Sequence, residues 1–141
     1  MSSISDIFIS TGDAQELDRM LSDHLSRDET TETALELSTK LFDAQVVAPE
    51  VLPHGTIRLN STVTYEELPG RTRRRVTLVA PRNADVSVSR ISVLSPVGRA
   101  LLGNALGQVV QVELPMGRQQ PVQVVEVSPP LLDRVDEPAF A

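Results

Sequence analysis

A short run of acidic residues between two amphipathic segments is the first candidate for chemistry. Asp28, Glu29 and Glu32 lie close together, directly after Arg27. Carboxylate oxygens are ligands that divalent cations prefer, so such a group can hold a metal ion when it is inserted into another enzyme's active site. The simpler interpretation is a solvated turn whose negative charge favours the start of the following helix.

Four arginines form the densest basic run: Arg71, Arg73, Arg74 and Arg75, directly after Pro69 and Gly70. Because they follow a Pro-Gly turn, a solvated hairpin explains them. The alternative is an electrostatic contact with an acidic protein surface or with nucleic acid. No aromatic residues are interleaved to stack on bases.

Residues for independent catalysis are scarce. The chain has no cysteine, no Walker A loop and no G-x-S-x-G motif. His24 falls near an apolar helical stripe and is predicted to pack, whereas His54 is predicted to fix a domain junction by a hydrogen bond. Since a third matching ligand is missing, a zinc site is not expected. The sequence therefore predicts no catalytic, cofactor or metal site.

Charge is distributed unevenly along the 141 residues, whose net charge is −6. Residues 1–50 carry 11 acidic and 3 basic side chains, whereas residues 51–127 carry 5 acidic and 9 basic ones. The acidic part would repel phosphates, so the whole chain is not expected to coat nucleic acid. Since neither a signal peptide nor a membrane span is evident, we expect a cytoplasmic protein.

Residues 1–47 are predicted to form an antiparallel helical hairpin. Helix 1 is expected from Asp13, as its cap, to about Ser26, and helix 2 from about Thr31 to Gln45. Each has one apolar stripe, and Leu35 and Phe42 lie beside the second stripe. At 1.5 Å per residue, helices of about 14 residues span about 21 Å.

After a Pro-containing linker at residues 48–53, a change in composition marks a second domain at 54–128. Alternating segments around Val63 and Val76 predict strands on either side of a Leu68–Gly70 turn. Another strand is expected at Ile91–Leu94, and a closing hairpin pairs residues 109–114 with 122–127. Residues 129–141 are expected to be a loosely held tail.

One short helix is predicted between these strands. Ser95 suits its N-cap, Pro96 its first position and Gly103 the left-handed position after its end. The expected fold class is therefore α+β, with a helical hairpin followed by a curled antiparallel sheet and one short helix.

Residues 91–127, from the strand through S-P-V-G-R-A-L-L-G to the V-Q-V-E-L-P-M-G hairpin, resemble the C-terminal domain of the bacterial Gre transcript-cleavage factors, which is FKBP-like. LPHGTIRLNSTVTYEEL (residues 52–68) and RRRVTLVAP (residues 73–81) resemble the regulator of nucleoside diphosphate kinase (Rnk) family. The resemblance covers residues 8 to 128. Gln108 departs from it, since many relatives carry an acid there.

The resemblance implies a partner. Gre factors bind RNA polymerase at the rim of its secondary channel and insert a long coiled coil whose tip acids help to hold magnesium. Rnk-like proteins have a much shorter coiled coil. We therefore expect this chain to occupy the rim, compete with Gre-type factors and not stimulate cleavage, with an indirect effect on kinase expression and no direct binding of nucleic acid. The expected contacts are Ser95, Pro96, Val97 and Arg99, with Arg73, Arg74 and Arg75 as electrostatic candidates.

Alternatives remain. An FKBP-like fold permits prolyl isomerase activity, but Tyr65 is the only aromatic residue of the predicted sheet, and fold does not settle function. An interaction module for a different protein partner is the second alternative. The acidic hairpin and basic sheet would also permit self-association, so the oligomeric state is open.

Overall fold

The computed structural model describes residues 7–26 and 32–130, and only the backbone of residues 24–26, 32 and 33. A short strand, β1 (Phe8–Ser10), leads into helix α1 (Thr11–Ser26). Helix α2 (Glu32–Asp43) is followed by strand β2 (Gln45–Val47), which pairs in parallel with β1. The two helices are thus tied together at their open end by a two-stranded sheet.

Helix α1 begins two residues earlier than the sequence predicts. Ser10, not Asp13, is its cap, because the Ser10 Oγ accepts a hydrogen bond of 3.1 Å from the Asp13 N–H. The expectation that Asp13 caps the helix was wrong, since its carboxylate turns away to another partner. Helix α2 ends at Asp43, before the predicted Gln45, because the Gln45 N–H donates to the Ile7 carbonyl at 2.9 Å and starts β2.

The second part of the chain forms a five-stranded sheet in the order β5-β4-β3-β7-β6. Its strands are β3 (Thr62–Glu67), β4 (Thr72–Val79), β5 (Arg90–Ser92), β6 (Val109–Glu113) and β7 (Gln119–Ser128). A register shift between Thr64 and Tyr65, where β3 pairs with β7, increases the local twist of the sheet.

The expectation of a wholly antiparallel sheet was wrong at β5, which pairs in parallel with β4. Parallel neighbours need a connection that carries the chain back to the same end of the sheet. Two 3₁₀ turns, Pro81–Asn83 and Val86–Val88, supply it. The strand is also shorter than predicted, because it ends at Ser92 and leaves Val93 and Leu94 to the following turn.

Helix α3 (Pro96–Leu101) confirms the helix predicted between the strands. Leu101 and Leu102 are fully buried at its end, and Gly103 follows with the expected left-handed φ of 83°. The closing hairpin of β6 and β7 is present as well, with its turn at Pro115–Gly117.

A single apolar cluster joins the two parts of the chain. It contains Leu17 and Leu37 from the helical hairpin together with Ile57 and Leu101 from the sheet region, all with no exposed surface. Burial of such side chains contributes about 1.5–3 kcal/mol each. The hairpin is therefore packed on the sheet domain, while the domain boundaries drawn from composition stay a prediction.

Two apolar residues of α2 lie outside this core. Leu35 is 52% exposed and Phe42 is 88% exposed, one above the other on the outer side of the helix. The buried side of α2 is instead occupied by Ala34 and Leu37. Leu35 and Phe42 therefore lie beside the apolar stripe, as the sequence pattern indicates, and Leu41 and Ala44 complete the stripe by packing against the core.

Candidate functional site

The turn before α3 is built by hydrogen bonds among its own residues. The Ser95 Oγ accepts from the Gly98 N–H at 3.1 Å and donates to the Ser92 carbonyl at 2.7 Å. The Ser92 Oγ in turn accepts from the Leu94 N–H at 2.9 Å. Since both hydroxyls are engaged locally, the turn holds its shape without a partner. The predicted cap at Ser95 is confirmed.

Gly98 fixes the distance between this turn and α3. A Cβ at Gly98 would lie 2.2 Å from the Ser92 carbonyl oxygen, far inside van der Waals contact. Only glycine therefore allows the first turn of α3 to approach the Ser92 backbone so closely. Ser95, Pro96 and Val97 are half-buried at this point, so each offers part of its surface to solvent.

Arg99, the fourth residue predicted for this contact, faces inward. Its side chain is only 13% exposed, and a guanidinium nitrogen lies 2.9 Å from the Glu36 Oε1. Its other terminal nitrogen donates to the Leu94 carbonyl at 3.1 Å. Arg99 thus joins α3 to α2. A partner that used its charge would first have to break the pair with Glu36.

Lys40 makes a second link between the same helices, which sequence reasoning missed. Its Nζ donates to the carbonyl oxygens of Arg99 at 2.6 Å and Ala100 at 3.1 Å, in the last turn of α3. Burial and, as the smaller cause, the charge of Arg99 together lower the pKa of Lys40 to about 7. The one available signal was that Lys40 is the only lysine in the sequence.

Asp13 forms a third link between the hairpin and the sheet domain. Its Oδ2 accepts a hydrogen bond of 2.9 Å from the Leu59 N–H. Burial raises the pKa of Asp13, although this hydrogen bond and the charge of Arg58 act in the opposite direction. The expected junction residue, His54, is exposed, and its side chain has no hydrogen-bond partner among the described residues. That prediction was wrong.

The basic run on β4 is largely neutralised by acids on β3. The Arg73 Nε lies 2.8 Å from Glu66 and the Arg74 Nε lies 2.8 Å from Glu67. Arg71 approaches Glu66 at 3.9 Å. Arg75 is exposed and has no side-chain partner within the described residues. The hairpin therefore presents fewer free charges than its sequence indicates.

The structure does not bring the two predicted contact regions together. The α3 turn follows β5, which pairs with β4 at Val79, whereas Arg74 lies near the other end of β4. Five residues of strand separate these positions by about 17 Å. Any single partner surface that includes both must span the sheet.

The side chains of the acidic residues predicted at the hairpin tip are not among those that the structure describes. Asp28 and Glu29 lie outside the described residues, and of Glu32 only the backbone is described. Among residues 7–23 and 34–130, no group of acidic, histidine or cysteine side chains could hold a metal ion.

The Gln108 Oε1 accepts from the Ala105 N–H at 2.7 Å, so this departure from the resemblance has a local structural role. None of the described helices has the length and apolarity to cross a membrane.

The sheet, the glycine-fitted α3 and the preceding serine turn define a Gre-type C-terminal domain. The family model for the C-terminal part of the transcription elongation factors GreA and GreB matches residues 52–129. This chain therefore belongs to the GreA/GreB C-terminal family, which confirms the resemblance seen in the sequence. It is a family of regulatory factors.

Named relatives are consistent with this membership. The regulator of nucleoside diphosphate kinase of Escherichia coli (strain K12) is 37% identical over 91 residues, covering 64% of this chain and 67% of that protein. Transcription elongation factor GreA of Macrococcus caseolyticus is 38% identical over 72 residues, covering 51% of this chain and 46% of that protein. The chain thus spans about half the length of this GreA.

A solved structure supports the fold over most of the chain. The prokaryotic transcription elongation factor GreA/GreB from Nitrosomonas europaea superposes with a TM-score of 0.69 at 35% sequence identity. The match covers 87% of this chain and 98% of that one.

Proposed function

We propose that this chain is a transcription regulator that binds RNA polymerase at the rim of its secondary channel. The names of its relatives supply the class of process, since they are called transcription elongation factors and a regulator of nucleoside diphosphate kinase. The observation that carries the proposal is the preformed turn of Ser92, Ser95 and Gly98. Ser95, Pro96 and Val97 belong to this turn, and the resemblance implies that they contact the rim.

A rigid turn favours binding because its shape is set before the partner arrives. The two Ser95 hydrogen bonds hold the turn together, and the missing Cβ of Gly98 lets α3 pack closely against the Ser92 carbonyl. Less conformational entropy is then lost on association. Half-buried Pro96 and Val97 offer apolar surface next to the Ser95 hydroxyl, which suits the edge of a helical partner.

The helical hairpin is too short for the cleavage activity of longer Gre factors. Helices α1 and α2 contain 16 and 12 residues, so they span about 24 Å and 18 Å. We infer that the tip acids do not reach the polymerase active site from the rim. The protein then acts by occupying the rim and excluding Gre-type factors, and changes in nucleoside diphosphate kinase follow indirectly from gene expression.

The test is binding of the pure chain to core RNA polymerase, with and without a Gre factor as competitor. Ser95→Ala removes the cap oxygen, whereas Ser95→Thr retains it. Ser22→Ala, on the exposed side of α1, is the matched control. We expect saturable binding that the competitor displaces. Ser95→Ala should weaken this binding by about 5-fold or more, which corresponds to the loss of one hydrogen bond between uncharged groups.

Circular dichroism of each variant shows whether the fold is retained. Binding that the Gre factor does not affect would contradict the assignment to the rim. Rescue of backtracked complexes by transcript cleavage with the pure chain would contradict the inference from hairpin length.

A further inference from the structure

The outer side of the helical hairpin carries an open groove between α1 and α2, with a volume of about 430 Å³. Its apolar lining includes the buried Leu21 and the half-buried Leu41, together with the exposed Phe42 and Val46. Leu35 lies two turns before Phe42 on the same side of α2 and extends the apolar surface along the helix. The hairpin therefore has apolar surface that its own core does not cover.

Phe42 is the most exposed side chain of this surface, at 88%. Single apolar residues are common on protein surfaces, whereas exposed apolar residues that cluster and are rimmed by polar ones mark interaction sites. Phe42 and Val46 line one groove whose rim includes the exposed polar residues Gln15 and Ser38. An aromatic side chain in such a place is the kind of residue on which binding energy concentrates.

The spacing of the exposed apolar residues matches a helical partner. Leu35 and Phe42 are seven residues apart, which is about 10.5 Å along the axis of α2. Apolar residues at positions i and i+7 of a second helix have the same separation. An amphipathic helix that lies in an apolar groove uses this pattern of anchors.

The charges at the groove determine which helix fits. Asp18 lines the groove from α1, and Asp43 directly follows Phe42 on α2. Both carboxylates are exposed, and neither has an ion-pair partner among the described side chains. Within the described part of the chain, no basic side chain lines the groove. A partner with basic flanks therefore complements it.

The chain itself supplies no segment of suitable charge. Residues 1–50 carry 11 acidic and 3 basic side chains, so the hairpin of a second copy would bring like charges together. Of those bases, Arg19 is paired with Glu16 at 2.7 Å, and Lys40 directs its amine at the α3 carbonyls. Residues 131–141 carry 3 acidic side chains and 1 basic one. The charges thus favour a different protein as the occupant.

We propose that the groove between α1 and α2 is a docking site for a basic amphipathic helix of a partner protein. The apolar side of that helix packs against Phe42, and its lysines or arginines pair with Asp18 and Asp43. Phe42 follows Lys40 by two residues and so lies about 200° round α2 from the side chain that bonds to α3. The groove is therefore separate from the α3 turn, and the protein can hold this helix while the turn contacts another surface.

The experiment measures binding of fluorescein-labelled peptides to the full chain by fluorescence anisotropy. The probe is a leucine–lysine peptide of about 14 residues, or four helical turns, with its leucines on one side and its lysines on the flanks. A second peptide has the same composition in scrambled order, and a third has glutamate in place of lysine. We expect saturable binding of the first peptide and binding of the other two that is weaker by about 10-fold or more.

Variants of exposed residues keep the test independent of folding. Phe42→Ala should weaken binding of the first peptide by about 10-fold, and Asp18→Asn by about 3-fold. Val86→Ala is the matched control, since Val86 is 87% exposed and lies between β4 and β5, and it should leave binding unchanged. Equal binding of the ordered and scrambled peptides, or of the parent chain and Phe42→Ala, would overturn the proposal. A dimer of the pure chain in sedimentation equilibrium that Phe42→Ala dissociates would also overturn it, and none of these outcomes depends on binding to polymerase.

Discussion

Single residues at the junction between the hairpin and the sheet domain show how a polar contact can replace apolar packing. Asp13 and Lys40 each bridge the two parts through backbone groups rather than through an opposite charge. A buried backbone N–H or carbonyl without a partner costs about 1–3 kcal/mol. Each side chain therefore stabilises the junction by satisfying backbone groups that packing alone would leave unpaired.

The hydrogen bond of Asp13 and its charge have separate effects on the stability of the fold. Because its folded pKa is raised, the native state binds a proton more tightly than the unfolded state. The stability linked to that proton is present at low pH and is lost as pH rises through the folded pKa. Asp13→Asn keeps an acceptor for the Leu59 N–H. At pH 7 we expect its free energy of unfolding to be at least as large as that of the parent chain.

The matched variant Asp13→Ala loses the acceptor, and we expect it to lower the free energy of unfolding by about 1–2 kcal/mol. Urea denaturation at pH 7 and at pH 4 measures both effects. The difference between Asp13→Asn and the parent chain should shrink at the lower pH. Equal destabilisation by the Asn and Ala variants at pH 7 would contradict this separation.

Lys40 gives a pH dependence of the opposite sign. Its folded pKa of about 7 lies below the ordinary value of 10.5, so between these values the unfolded state binds more protons. Stability should therefore rise with pH above about 7. From pH 7 to 9 we expect the free energy of unfolding to rise by about 2 kcal/mol relative to Lys40→Arg. Guanidinium denaturation measures the free energy of unfolding of both chains. If it changes with pH in parallel in the two chains, the lowered pKa of Lys40 is ruled out.

At the scale of elements, the short helix α3 depends on a close approach to strand β5. Gly98→Ala would place a methyl group against the Ser92 carbonyl, and overpacking of this kind costs about 1–3 kcal/mol. Gly12→Ala, in the first turn of α1, is the matched control, since nothing lies within 4 Å of its Cβ. Thermal unfolding should show a lower Tm for Gly98→Ala and an unchanged or higher Tm for Gly12→Ala. A Gly98→Ala chain as stable as the control would contradict the packing argument.

The arginines of the β3–β4 hairpin are of two kinds: some are paired with a carboxylate of the fold, and others are free to contact a partner. Arg73 is paired with Glu66, which is only 7% exposed, whereas Arg75 has no partner in the described part of the chain. We expect Arg73→Gln to lower the free energy of unfolding by about 1 kcal/mol, since it leaves a nearly buried carboxylate less well paired, and Arg75→Gln to change it by less than about 0.5 kcal/mol. Urea denaturation of both variants checks the difference, and equal effects would contradict it.

Arg75→Gln also tests whether the basic run contributes to binding of a partner. If the basic run contacts polymerase electrostatically, Arg75→Gln should weaken binding mainly at low salt. Because that variant retains its stability, a loss of binding would report the contact itself rather than a change in the fold.

At the scale of the whole molecule, local signals predicted local structure well. Ser95, Pro96 and Gly103 define the limits of α3 because capping depends on neighbouring residues. Helix α1 was less well predicted, since Ser10 and Asp13 both suit a cap and only the contact of Asp13 with Leu59 decides between them. The parallel pairing of β5 depends on two 3₁₀ turns that have no strong sequence signal.

Contacts between distant residues could not be predicted from the sequence. Lys40 meets the α3 carbonyls 59 and 60 residues further along the chain, and no local pattern encodes such a distance. The ion pair between Arg99 and Glu36 likewise joins residues far apart in the sequence, and the contact of Arg99 with a partner stays a prediction. The candidate turn was thus predictable, whereas the junction that supports it was not.

The most direct test of the central claim is binding of the pure chain to core RNA polymerase in competition with a Gre factor. The account predicts saturable binding that the Gre factor displaces, weakened by Ser95→Ala and not by Ser22→Ala. No binding at either low or physiological salt, with the fold intact by circular dichroism, would contradict the assignment of polymerase as the partner.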